Sequence, residues 1–189
     1  MKNAILLHGK PSKEEYYDPE IPSCSNHHWF PWLQKQLLVK DIKAATPEVP
    51  KAYEPEWELW VKEVERFEIG SETTLVGHSC GGGFWVRFLS EHKSLKVGKV
   101  ILVAPSLNPE KTWGKTFFDF EIDPSIIDRA KEIIIFSSTD DAPGIQDSVA
   151  MIRQAVPKVR YVEFKNMGHF TYSSMKTSEF PELLAACLQ

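Results

Sequence analysis

The sequence predicts an α/β fold, a doubly wound and mostly parallel sheet of about six strands with helices on both faces. Three observations carry that prediction. Short β-branched or apolar runs recur along the chain, and stretches with helical apolar spacing fall between them. Most of the short runs are continuously apolar instead of alternating, as expected for strands covered on both faces. Strands alternating with helices imply right-handed crossovers within a parallel sheet.

Taken in order, the strands are "AILL" at 4–7, "IKAA" at 42–45, "TTLV" at 73–76, "KVILV" at 99–103, "EIIIF" at 132–136 and "RYVEF" at 160–164. The helices expected between and after them span 29–39, 56–67, 82–92, 125–130, 145–155 and 178–188. Prolines at 11, 19, 22, 31, 47, 50 and 55 punctuate the loops of the first third. Residues 105–128 form the longest connection without strong periodicity, a loop or short helices over one end of the sheet.

At 189 residues the chain is sized for one domain, 1–189, with a sizeable core. A net charge of −4 with interspersed signs gives no nucleic-acid footprint and no attraction to anionic membranes. The apolar runs are too short to span a bilayer, and the N-terminus lacks a signal-peptide pattern. Three cysteines without regular spacing argue against a disulfide framework, so a cytoplasmic protein is expected.

The stretch "TLVGHSCGGGF" carries the chemistry. Gly77-His78-Ser79-Cys80-Gly81 matches G-x-S-x-G, a pattern that roughly one chain in fifteen of this length would hold by chance. Its setting is what makes it specific. "TTLV" precedes it and "FWVRFLSEH", with apolar residues at helical spacing, follows. Strand, tight turn and helix together form a nucleophile elbow, with glycines at 77 and 81 relieving the crowding around Ser79. The Cys80 amide at the helix start is then the nearest oxyanion donor. Gly82 and Gly83 each cost about 1 kcal/mol against alanine in a helix, which calls for close packing of this helix on its neighbours. No phosphate-cradle pattern fits these residues.

A serine nucleophile needs an imidazole and the imidazole needs a carboxylate, in the chain order Ser, Asp/Glu, His on an α/β-hydrolase sheet. Two histidines follow Ser79. His92 sits at the expected helix end and reads as a C-terminal cap, which leaves His169 of "NMGHF" as the base. "FSSTDDAPG" supplies Asp140 and Asp141 just past a strand end, and spacing alone does not separate them. Of the two, one orients His169 and the other binds loop amides or caps a helix. The second oxyanion donor comes from the loop after the first strand. Pro11 has no N–H and Gly9 lets the backbone approach, so the Lys10 amide is expected there. His8 reads as structural, closing the strand end.

With these residues placed, the chain resembles the small lid-less serine hydrolases of the retinoblastoma-binding protein 9 and YdeN type. The resemblance rests on "NHHWFPWLQKQL", "GHSCGG", "FSSTDDAPG" and "NMGHF". It implies a minimal α/β-hydrolase fold, a Ser79–His169–Asp141 triad with Asp141 preferred over Asp140, and no metal or organic cofactor. In place of the glycine-rich run the family often carries after the first strand, this chain has "HGKPSKEEYYDPE". No cysteine lies in an L-x-C-x-E peptide, so the retinoblastoma-binding label does not transfer.

The expected activity is hydrolysis of a small-molecule ester, thioester or amide, of the carboxylesterase type, through an acyl-enzyme. Its rival is a catalytically idle hydrolase fold used as a binding module. Cys24, His27 and His28 are not spaced as a metal site. Cys80, one residue past the elbow apex, points away from the base. Trp113, Phe117, Phe118 and Phe170 are the expected lining of an acyl pocket, with core packing as the alternative.

Overall fold

The computed structural model describes residues 2–114 and 116–189. Six strands, β1 (Asn3–Leu7), β2 (Lys43–Ala45), β3 (Thr73–His78), β4 (Val97–Val103), β5 (Ala130–Ser138) and β6 (Arg160–Phe164), form one sheet in the order β2-β1-β3-β4-β5-β6. Every neighbouring pair is parallel. Helices α1 (Lys13–Tyr17), α2 (Phe30–Leu38), α3 (Trp57–Val64), α4 (Cys80–Glu91), α5 (Pro143–Ala155), α6 (Tyr172–Met175) and α7 (Pro181–Leu188) complete the α/β-hydrolase arrangement.

The apolar strand runs are explained by two cores, one on each face of the sheet. Successive side chains of a strand point to opposite faces. Ile5, Leu7, Leu75, Val100, Leu102, Ile133 and Ile135 therefore join Trp60 of α3, Phe84 and Phe88 of α4 and Val149 and Ile152 of α5. Their neighbours Leu6, Val76, Ile101, Val103, Ile134 and Phe136 join Phe30, Leu33 and Leu37 of α2 and Leu183 of α7. Strand β6 lies at an edge, and its residues are only half-buried or exposed.

Several elements differ from expectation, among them the short helix α6, which follows His169 where a loop was expected. Residues 124–128 form a 3-10 turn (Pro124–Asp128) rather than an α-helix, with Asp123 capping the Ser125 amide at 3.0 Å. Helix α4 begins at Cys80, directly on the elbow. Helix α1 lies within the first loop, where Ser12 Oγ accepts from Glu15 N–H and Glu15 accepts from Ser12 N–H, a capping box in "SKEE".

The strand order places a switch point between β1 and β3, where successive crossovers leave in opposite directions. Ligands bind in open α/β sheets at the carboxyl ends of strands at such a point. Gly9 and Lys10 leave β1 there, and Ser79 leaves β3. Among the described residues no helix is long and apolar enough to cross a membrane.

Candidate active site

Ser79 occupies φ 53°, ψ −119°, a backbone conformation costly for a residue with a side chain. Four hydrogen bonds hold it. Its N–H donates to the Val103 carbonyl at 2.9 Å, and its own carbonyl accepts from Gly82, Gly83 and Ser106 N–H at 3.0, 3.2 and 2.9 Å. A methyl at Gly77 would lie 2.6 Å from Gly82 N and overlap the Gly81 carbonyl, so the turn closes only without it. Gly81 is needed for a different reason from the crowding expected of the elbow pair. A methyl there would strike the Leu7 and His8 carbonyls, at the end of the neighbouring strand β1.

The resulting exposure brings Ser79 Oγ to 2.9 Å from His169 Nε2. The other ring nitrogen, Nδ1, is 2.9 and 3.1 Å from the two carboxylate oxygens of Asp141. A carboxylate only accepts, so Nδ1 carries the proton and Nε2 is left to accept from the serine hydroxyl. Asp141 also accepts from the Ala142 amide at 2.7 Å. Asp140 turns elsewhere, accepting from Ser138 Oγ and from Gly168 N–H at 3.2 Å. These hydrogen bonds hold the Asp140 carboxyl below its usual range. One aspartate faces the imidazole and its neighbour ties down the loop that carries it.

The Cys80 and Lys10 amides make no hydrogen bond within the chain among the described residues. Val49 N–H donates to His8 Nε2 at 3.0 Å, which leaves the His8 proton on Nδ1, and that nitrogen donates to the Gly9 carbonyl at 2.7 Å. In a trans peptide the carbonyl and the next N–H point oppositely, so this bond turns the Lys10 N–H away from His8. Burial lowers the His8 pKa and favours the neutral ring that this pattern needs. Gly9 allows the approach, since a methyl there would sit 3.0 Å from Ser79 Cβ.

A sequence profile described as serine hydrolase matches residues 21–186. The chain belongs to the serine hydrolase family. It is 30% identical over 169 residues to YdeN of Bacillus subtilis (strain 168), which covers 84% of this chain and 86% of that protein. The crystal structure of the ydeN gene product superposes with a TM-score of 0.82 over 100% of this chain and 97% of that one, at 24% identity. Est1E from Butyrivibrio proteoclasticus, solved with ferulic acid bound, shares the fold with a TM-score of 0.64 at 12% identity, covering 99% and 86% of the two chains.

In this serine hydrolase a cavity of about 710 Å³ opens beside Ser79 and His169. Its walls come from the first loop and α1, including Lys10, Glu15, Tyr16, Ile21 and His28, and from Thr171 to Ser173 after His169. The four aromatic residues expected there do not line it. Phe117 and Phe170 are fully buried, Phe117 against Trp57, Trp60 and Phe84, and Phe170 stacked on Phe180. Phe118 and Trp113 pack on each other under α4, where Gly83 admits the Phe118 ring. Cys80 is also fully buried, and burial raises its thiol pKa well above the usual value.

Several residues at the serine hydrolase site escaped sequence reasoning. Trp29 Nε1–H donates to the Phe170 carbonyl at 3.1 Å, and Tyr172 N–H donates to His28 Nδ1 at 3.2 Å. His28 lies at φ 55° with its pKa lowered to about 4, burial being the main cause. His27 stacks on it, centroids 4.0 Å apart. His78 Nε2–H donates to the His169 carbonyl at 2.8 Å. The signal for these contacts was the "NHHW" and "GHS" spelling itself, without any indication of what each ring would touch. His92 caps α4 as expected, its Nδ1–H donating to the Phe88 carbonyl at 2.7 Å.

Proposed function

We propose that this serine hydrolase cleaves small esters in a reducing cytoplasm through an acyl-enzyme on Ser79. The observation that carries the reading is the continuous chain Ser79 Oγ, His169 Nε2, His169 Nδ1, Asp141 Oδ2, with both links at 2.9 Å. Ser79 attacks the carbonyl as His169 takes its proton. Asp141 keeps the imidazole in the required tautomer and stabilises its charged form. The Cys80 and Lys10 amides, the first of them at a helix N-terminus, hold the tetrahedral oxyanion. His169 returns the proton to the leaving alcohol, then activates the water that releases the acyl group.

The cavity supports a small substrate of mixed polarity. Its volume is within the range of small-ligand sites. Tyr16, Tyr172, His27 and His28 mix with Ile21 and Pro22 in its walls, unlike the uniformly apolar tunnel that a long acyl chain needs. Short p-nitrophenyl esters should therefore be turned over in preference to the laurate ester. On the acetate ester Asp141→Asn should lower kcat by about 10³- to 10⁴-fold, because the carboxamide lacks the negative charge and can turn an N–H to Nδ1, which favours the wrong imidazole tautomer. Asp140→Asn should keep activity within about tenfold. Failure of the wild type to exceed Asp141→Asn on any chain length would favour the idle binding module. The reverse ranking of the two aspartate variants would move the acid to Asp140.

A further inference from the structure

We propose that His78 is a positioning residue for the base, its ring N–H fixing the backbone of His169 to the elbow that carries Ser79. The inference rests on the reading of Ser79 and His169 as nucleophile and base.

His78 is the last residue of β3 and is almost fully buried. Its Nε2 lies 2.8 Å from the backbone carbonyl of His169. A carbonyl only accepts, so that nitrogen carries the proton. The ring is enclosed by Trp29, Phe30, His28 and His169, with centroids 5.0 to 6.4 Å away. Burial and the two neighbouring histidines hold its pKa well below the usual value, so it remains a neutral donor when His169 takes up the serine proton.

The base loop needs such an anchor. Asn166, Gly168 and Phe170 all have left-handed backbone, at φ 59°, 49° and 53°. A non-glycine residue in that region is strained and persists only where its surroundings over-determine it. The loop is bound at five successive or near-successive groups. Met167 N–H donates to Ser138, Gly168 N–H to Asp140, the His169 carbonyl accepts from His78, the Phe170 carbonyl from Trp29, and Tyr172 N–H donates to His28. Of these, the His78 bond is the one made at the base residue itself, and its donor is adjacent in sequence to the nucleophile. Nucleophile and base are thereby referenced to a single strand end, with one side chain between them.

The test uses the full chain and a fluorophosphonate, whose reaction reports the Ser79–His169 step without the natural substrate. His78→Phe keeps an aromatic ring and removes the donor, whereas His78→Gln restores an N–H at similar reach. His78→Phe should react about 10- to 100-fold more slowly at saturating probe, the scale of a misplacement near 1 Å, with little change in the half-saturating probe concentration. His78→Gln should recover most of the rate. Equal rates for wild type and His78→Phe overturn the proposal, as does a glutamine variant no faster than the phenylalanine one. Wild type that is not labelled at Ser79 overturns the functional reading itself, and the proposal with it. Ring-nitrogen NMR of the wild type gives an answer even where the variants fail to fold. The His78 proton should reside on Nε2, and a proton found on Nδ1 contradicts the proposed bond.

Discussion

Ser79→Ala and His169→Ala will each lower kcat for short p-nitrophenyl esters by about 10⁴-fold or more, some 5 kcal/mol of transition-state stabilisation. The double variant will cost little beyond either single one. Both effects follow from the 2.9 Å link between Oγ and Nε2. Without the imidazole the hydroxyl keeps its proton and is a poor nucleophile, and without the hydroxyl the imidazole has nothing to activate in the first step. Residues acting as one unit are strongly non-additive, and steady-state kinetics on the two single variants and the double variant measure that directly. Multiplicative losses would mean that the two side chains act independently.

The second large effect is on stability. Gly83→Ala will destabilise the fold by about 3 kcal/mol or more, although alanine is the better helix former by about 1 kcal/mol. The added methyl would overlap the Ser106 carbonyl and lie 2.7 and 2.8 Å from Phe118 ring atoms. Phe118 can shift, but Ser106 is held because its N–H donates to the Ser79 carbonyl. Relief of the clash therefore disturbs the elbow. For a chain of this size the loss corresponds to roughly 6–12 °C in Tm. Gly70→Ala is the control, since a methyl there meets nothing within 4 Å. Thermal melts of the two variants separate the cases, and an unchanged or raised Tm for Gly83→Ala would contradict the packing.

The sheet was legible because its strands are covered on both faces. Leu75 and Val76 must both be apolar when one enters each core, and the resulting runs stand out in the sequence. The elbow was legible for a similar reason. Gly77, Ser79 and Gly81 answer constraints within a few residues of one another or at the adjacent strand end. The extra glycines at 82 and 83 were rightly attributed to close packing, against Pro105 and Ser106.

Other features depend on contacts between residues distant in the chain, and these were read poorly or not at all. Asp140 and Asp141 follow β5 in the same turn. Which carboxylate meets the imidazole is decided by a loop 28 residues away. The aromatic residues at 113–118 have the composition of a pocket lining. They are consumed beneath α4 because Gly83 admits Phe118 and the Trp57–Trp60 face takes Phe117. The walls come instead from polar residues of the first loop, ordered by a capping box whose spelling, Ser12 to Glu15, was present but unread. His78 was visible inside the motif, yet its partner is a backbone carbonyl 91 residues on.

Intact-protein and peptide mass measurement after reaction with a fluorophosphonate tests the nucleophile most directly. One phosphonyl adduct on the peptide containing Ser79 is expected, absent from Ser79→Ala and strongly slowed in His169→Ala. A folded wild type that takes up no adduct, or an adduct that persists in Ser79→Ala, would contradict Ser79 as the nucleophile.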